Sequence, residues 1–302
     1  MKSILLALTL ALSALTTSTA GFAQQRDFTK VEIKTTKITD NFYALEGEGG
    51  RIGILAGPDG ILMVDTQFAQ ISDRILAAIR QISDAPFRIL VNTHVHGDHT
   101  GGNANFARQG ATIMARPQLR ARLMNPSAPP GVKPLPPAPA QALPVVTYDT
   151  ETTLHMNGEA VRLIPAPVAH TDGDTLVYFP KANVIMTGDF FRSVGFPNID
   201  IINGGTLNGL LASFETVLKL GPANAVIAPG HGPITNKAAV AEHRDMVIAV
   251  RDKVDALIKQ GKTQDEVVAA QTAADFNAKV GGIAFNADRF VIQIYQQLKA
   301  GR

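Results

Sequence analysis

Cysteine is absent from the 302-residue chain. That excludes disulfides as a source of stability and a thiolate as nucleophile, and any metal site must use nitrogen and oxygen donors. An excess of one charge is lacking too. Lys and Arg number 28 against 26 Asp and Glu, a formal net charge of +2. Near-neutrality gives no basis for a nucleic-acid or lipid-headgroup surface, so the expected partner is a small-molecule substrate. No apolar run is long enough to span a bilayer, which needs about 20 residues. The nearest is Ile4 to Leu15 ("ILLALTLALSAL"), preceded by Lys2 and followed by "TTSTAGFAQQ". A short positive start, an apolar stretch and small residues describe a secretory signal peptide over residues 1–23, with Gly21 and Ala23 before the cut; cleavage after Ala20 is the alternative. The expectation is an exported protein, periplasmic or secreted, with no stable membrane anchor and a mature chain of 24–302.

Short apolar runs then alternate with turn signals. "FYALEG", "RIGILAG" and "GILMVDT" read as strands joined at Gly and Pro-Asp-Gly turns. Ile71, Ile75, Ile79 and Ile82 recur at helical spacing over 69–82, and "FRILVNT" is a buried strand. A second strand-rich half begins near residue 145 and includes "TLVYFP" and "NVIMTGD"; a helix follows over about 207–220, then the strand "AVIAP". The tail over 237–302 reads as mostly helical, with breaks near Gly261 and Gly281-Gly282. Between the halves, 126–144 holds eight prolines and predicts a stiff irregular loop, either a surface linker or a flap beside a substrate cleft.

The strand "FRILVNT" runs into "HVHGDH", which places three of the chain's seven histidines and an aspartate within residues 94–99. His94 and His96, two apart at a strand end, can point to one side, and Gly97 lets the chain turn before Asp98 and His99. Four ligand-type side chains in so small a volume mark a metal site without fixing the number of ions. His170, Asp189 and His231 each follow an apolar strand at a strand-to-loop junction, where α/β sheets commonly form sites. His155, in a hairpin strand, and His243, on a polar helix face, read as ordinary surface residues.

In this order, "HVHGDH", "AHTDGD", "TGD" and "PGHG" resemble the metallo-β-lactamase superfamily of zinc hydrolases over roughly residues 38–236. The resemblance implies an α/β fold, an αββα sandwich with two zinc ions at one edge. Carried onto this chain, His94, His96 and His170 would hold one zinc and Asp98, His99 and His231 the other, with Asp189 bridging and Asp98 also catalytic. Asp65 occupies the place of an aspartate that braces the metal loop. Zinc lowers the pKa of a bound water to about 7, so the implied reaction is hydroxide attack on a carbonyl.

Subclass turns on a few residues. Secreted zinc β-lactamases mostly carry cysteine or serine where this chain has Asp189; aspartate resembles glyoxalase II, lactonases and other general hydrolases. Arg192 stands three residues on, the offset at which many zinc β-lactamases place a carboxylate-gripping lysine, and the alternative is a surface arginine paired with an acid. Phe190, Phe191 and Phe196 read as core or as an apolar cleft wall, and Asn203 and Asn208 as possible substrate contacts in a glycine-rich stretch. The leading expectation is β-lactam hydrolysis, with lactone or glyoxalase II-like thioester hydrolysis as the alternative. Export would separate the protein from the main glutathione pool, and His96 stands where diiron relatives carry glutamate. The non-enzyme alternative is a periplasmic metal-binding protein.

Overall fold

Strands buried on both faces read as unbroken apolar runs, and most of this chain's central strands are of that kind. The computed structural model describes residues 26–281 and 287–301; the leader read at 1–23 lies outside them. Among the described residues thirteen strands form two sheets. The first joins β1 (Lys34–Lys37), β2 (Phe42–Glu46), β3 (Ile52–Gly57), β4 (Gly60–Val64), β5 (Phe87–Val91), β6 (Thr112–Ala115) and β7 (Val146–Thr147), side by side in that order. It is antiparallel as far as β4 and parallel beyond. The second comprises β8 (Thr152–Met156), β9 (Glu159–Pro165), β10 (Thr175–Phe179), β11 (Val184–Met186), β12 (Val226–Ala228) and β13 (Thr235–Asn236), again in chain order across the sheet. Only β11 and β12 pair in parallel there.

Alternation along each strand divides the side chains between two apolar layers. Leu62 and Val64 of β4 meet Val177 and Phe179 of β10 between the sheets, with Phe42, Leu55 and Met186. Ile61 and Met63 point the other way, onto Ile75 and Ile79 of α1 (Ser72–Arg80). On the far side, Leu176, Ile185 and Ile227 of the second sheet pack against α5 (Leu207–Lys219) and α6 (Lys237–Lys259). The layers are therefore helix, sheet, sheet, helix, as the family resemblance implies.

The remaining helices are α2 (Gly97–Thr100), α3 (Asn103–Arg108), α4 (Pro117–Met124), α7 (Gln264–Ala269), α8 (Asn277–Val280) and α9 (Ala287–Ala300). Sequence reading did not single out β1, β6 or α4, which are short or lack strong apolar periodicity. The helical tail is present, with left-handed glycines at its breaks, Gly261 (φ 81°) and Gly281 (φ 53°). It docks on the second sheet: Val247, Val250 and Val254 of α6 and Phe290 and Ile294 of α9 join one buried cluster. Phe190, Phe191 and Phe196 belong to that cluster, each at most 2% exposed, so they are core, and Phe191 also lines a cleft with Pro233 and His243. Among the described residues no helix is long and apolar enough to cross a membrane.

Candidate metal centre

The loops after β2, β4, β5, β9, β11 and β12 converge at one sheet edge, and each brings part of the site. After β5 the chain delivers His94 and His96 and enters α2, which carries Asp98 and His99. Gly97 is not in a left-handed conformation, and the space where its Cβ would lie is open, so the turn does not require glycine there. The close approaches occur elsewhere. A Cβ on Gly50 would lie 2.0 Å from His99 Cε1, and one on Gly230 would lie 2.0 Å from Asp189 Oδ1. Sequence reading missed these two positions, although the "GEGG" run before β3 was a visible signal of close backbone approach.

Donor atoms of His94, His96, His170 and Asp189 lie within 4.8 Å of one another, and those of Asp98, His99 and His231 form a second such group. His170 Nε2 is 3.0 Å from His96 Nδ1. Asp189 reaches toward the second group, with Oδ1 3.2 Å from His99 Nε2 and Oδ2 3.2 Å from His231 Nε2. Asp98 Oδ2 is 3.1 Å from His231 Nε2. All seven residues singled out in the sequence are thus brought together.

Each ring is fixed from behind, which determines the nitrogen it presents. His170 donates from Nδ1 to the Asn198 carbonyl at 2.7 Å, leaving Nε2 inward. His94 Nδ1 lies 3.1 Å from Thr93 Oγ1. His96 is reversed: its Nε2 meets Asp200 Oδ2 at 2.7 Å, and Nδ1 faces the group. His99 Nδ1 meets Asp65 Oδ2 at 2.7 Å. Asp65 itself is 1% exposed and accepts from Thr93 N (2.8 Å) and Thr93 Oγ1 (2.6 Å), so it ties the β4 end to the β5 end as a brace. Asp200 is a brace that sequence reading missed, because nothing local links it to a histidine 104 positions away. Asp174 is another: its carboxylate accepts from the backbone N–H groups of His170 and Thr171, and burial pushes its pKa up to about 7.

At the centre His94 Nε2 is buried without a hydrogen-bond partner, and His99 Nε2 and Asp189 Oδ1 face each other at 3.2 Å without hydrogen-bond geometry. Buried polar atoms are normally satisfied, so this convergence fits a set of ligands for cations. Burial holds His94 well below the ordinary histidine range and brings His170 to about 4, leaving both imidazoles neutral and able to coordinate. Burial would also deprotonate His99, but the charges of Asp189, Asp65 and Asp98 raise its pKa well above the usual value. A proton there stands where a metal cation would. Burial alone would raise Asp98; the charges of His99 and His231 instead hold it below the ordinary carboxylate range. The donors are imidazole nitrogens and carboxylate oxygens, a set that suits zinc.

The open side is formed by His96, Asp98 and His231, whose side chains are 26%, 21% and 20% exposed. Beside His231 a cleft of about 490 Å³ is lined also by Gly49, Arg51 and Lys34. Arg51 fastens the His231 loop, donating from its backbone N to the Gly230 carbonyl at 2.8 Å and from Nη2 to the Gly232 carbonyl.

The substrate contacts expected from sequence fare differently. Arg192 is neither a surface residue nor an open carboxylate grip: it is 5% exposed, with Nη1 4.0 Å from Asp189 Oδ2, so its charge acts on the centre through Asp189. Asn203 donates to Asp200 Oδ2 at 2.6 Å and is held by Arg122, which makes it a support for the His96 brace. Asn208, at the start of α5, lines a small cleft with Gln297, Leu298 and Gly301 that none of the histidines share. His155 is exposed as expected. His243 is not on the surface: it is 9% exposed and packs edge-on against Phe191 and Phe214, and its burial follows from α6 docking its whole inner face on the second sheet.

The family model for the metallo-beta-lactamase superfamily matches residues 46–231. A hydroxyacylglutathione hydrolase of Nitrosococcus oceani is 29% identical over 178 residues, which are 58% of this chain and 59% of that protein. A linear primary-alkylsulfatase of a Pseudomonas species is 23% identical over 256 residues, 71% of this chain and 48% of that one. The chain thus spans about half to three fifths of the length of these relatives. Among solved structures, a metallo-beta-lactamase from Pontibacter korlensis superposes with a TM-score of 0.60 at 18% identity, over 72% of this chain and 99% of that one. A stereoselective inverting sec-alkylsulfatase from a Pseudomonas species gives 0.64 at 14%, over 88% of this chain and 50% of that one. The solved structures share the two-sheet fold, and the family model, which spans more than half of the chain, establishes that the chain belongs to the metallo-beta-lactamase superfamily.

Proposed function

We propose that the protein is an exported two-zinc hydrolase that cleaves a carbonyl substrate: a lactone, a thioester or a β-lactam. The observation that carries this reading is the meeting of buried donors, His94 Nε2, His99 Nε2 and Asp189 Oδ1, between rings fixed from behind. Export rests on the leader-like run at residues 1–23. The chemistry that zinc supplies when bound in such a pair is acidification of a water toward neutral pKa and polarisation of a carbonyl.

The chain's own residues do the rest. His94, His96 and His170 would hold one ion and Asp98, His99 and His231 the other, with Asp189 set between the groups. Asp65 and Asp200 keep the His99 and His96 rings in the tautomer that leaves the inward nitrogen free to coordinate. Asp98 stands on the open side, where it orients the attacking water and passes the proton to the leaving atom. Arg192 steadies the Asp189 charge from behind. Its burial removes the one feature that favoured carboxylate-bearing β-lactams, so lactones and thioesters stand level with them.

Sulfate-ester hydrolysis is a second reading, and one observation favours it. The likeness to the sec-alkylsulfatase takes in 88% of the chain against 72% for the β-lactamase from P. korlensis, more than the 46–231 domain alone can account for. The deciding experiment assays zinc-loaded mature protein against lactam, lactone, thioester and alkyl sulfate substrates, with metal content measured in parallel. Two zinc ions with turnover of a carbonyl substrate is the expected result. Tight metal binding without turnover of any of the four would return the protein to a metal-binding role.

A further inference from the structure

The cleft of about 490 Å³ beside the centre is bounded by the outer edges of both sheets. One wall is β1, the edge strand of the first sheet, whose Lys34 and Thr36 are two apart and so lie on one side of it. The other is the His231 loop, where Pro233 and Ile234 lead into β13, the edge strand of the second sheet. The cleft reaches the metal centre directly, because His231 lines it. Gly49 and Gly230 line it too, and a Cβ on them would lie 2.9 Å from Asp98 Cβ and 2.0 Å from Asp189 Oδ1. Its volume falls within the range of about 300–1,000 Å³ usual for small-molecule sites.

The charges along this cleft do not cancel. Arg51, 4% exposed, is answered by Glu46, whose Oε1 meets Nη1, while Nη2 donates to the Gly232 carbonyl. Lys34 stands opposite Glu46 in the β1–β2 register, so the two side chains share a face, yet the Glu46 carboxylate is turned to Arg51. Exposed on β1, Lys34 has no ion pair or side-chain hydrogen bond among the described residues. Glu46 is the only acid in the lining, so one positive charge is left over. Metal ions held at the centre would add to that balance. Pro233 and Ile234 are the only apolar side chains there, which gives an alkyl arm little to cover. We propose that the cleft receives an anionic arm of the substrate, ending in a carboxylate or a like oxyanion, and that Lys34 is the residue that selects it. The inference rests on the hydrolase reading above and narrows it to substrates with a negative group beyond the bond to be cleaved. Arg192, buried beside Asp189, is not in the lining, so the anion is read from β1 and not from the loop after β11.

The test follows, by calorimetry, the binding of dicarboxylates from succinate to adipate to zinc-loaded mature protein, each against the monocarboxylate of equal length. One carboxylate of either ligand can go to the metal, and only the dicarboxylate has a second for Lys34. The best dicarboxylate should bind about tenfold tighter: about twofold is the statistical gain of two equivalent ends, and the rest lies between an exposed ion pair and a buried charged hydrogen bond. Lys34→Gln should bring the ratio down to about twofold, Lys34→Arg should keep most of it, and added salt should lower it. Lys37→Gln removes an equal charge from the opposite face of β1, where Lys37 meets Asp40 at 3.1 Å, and should leave the ratio unchanged. A parent that binds the paired ligands alike, or binds neither, or whose preference survives Lys34→Gln, would overturn the proposal. Turnover of a carbonyl substrate by the same preparation would then leave the hydrolase reading standing. A preference that depends on Lys34, with no lactam, lactone or thioester turned over, would support the cleft and overturn the hydrolase reading alone.

Discussion

On the two-zinc reading proposed above, Gly50→Ala should remove the second metal ion while sparing the first. Gly50 is held at both ends, its N donating to the Asp98 carbonyl at 3.1 Å and its carbonyl accepting from Gln67 Nε2 at 2.6 Å. Its backbone is not left-handed, so alanine brings no dihedral strain and the effect is purely steric. The added Cβ would sit 2.0, 2.3 and 2.6 Å from Cε1, Nε2 and Nδ1 of His99. Van der Waals contact requires about 3.5 Å between carbons, so the imidazole must move by more than about 1 Å. Metal–ligand distances tolerate only about 0.2 Å, so His99 Nε2 leaves the ligand set. His99 is fully buried and tied to Asp65, which makes the movement expensive, about 1–3 kcal/mol as for other overpacked sites. After dialysis against limiting zinc, elemental analysis should find close to one ion per chain in place of two, and titration should show the weaker site lowered by at least about tenfold. Gly97→Ala, in the histidine motif itself, is the control: nothing lies within 4 Å of its added Cβ, and it should keep both ions. Two ions bound by Gly50→Ala with unchanged affinity would refute the packing argument.

Three further outcomes are expected. Asp200→Ala strips His96 and Asn203 of a shared acceptor and should weaken the first site by about 10- to 100-fold in a zinc competition assay, with the second site little changed. His96→Ala should abolish hydrolysis while circular dichroism and thermal unfolding stay close to the parent, since the ligand loops lie at the sheet edge; retained turnover would sink the metal mechanism. His243 has its pKa lowered from 6.5 to about 4, by burial first and then by the Arg192 charge. A depressed folded-state pKa means the unfolded chain binds the proton more readily, so this contribution to stability is full above pH 6.5 and is lost as pH falls toward 4. The loss amounts to about 3 kcal/mol by pH 4, and His243→Leu should lack it; urea denaturation of both proteins at pH 7 and near pH 4 measures the difference, and identical pH dependence would rule the account out.

Local chemistry made much of the site legible. His94, His96, Asp98 and His99 fall within six positions, and His170, Asp189 and His231 each end a strand, so ligand chemistry could be recognised before any packing was known. Asp65 was visible through the family resemblance, as the aspartate that ends the strand "GILMVD". The two-sheet architecture was legible through the family resemblance that the four ordered motifs carry, and the continuous apolar strands agree with it, since they demand cover on both faces. Arg192 and His243 were not. Whether a polar side chain on a loop or helix faces water depends on what docks over it, and α6 covers the face that carries His243 while Asp189 draws Arg192 inward.

By itself, then, the sequence determined the donor atoms of the centre and the strands that carry them, since both are set by residue type and by spacing within a few positions. Only the tertiary structure decided how those donors are held. Asp200 reaches His96 across 104 positions, and Gly50 and Gly230 earn their place solely through the imidazole and carboxylate pressed against them. It also decided which charges remain available to a substrate, burying Arg192, and it joined α4 to Ser127 and to the Ile202 carbonyl through Arg122. Such contacts join segments distant in the chain, and neither periodicity nor local spacing records them.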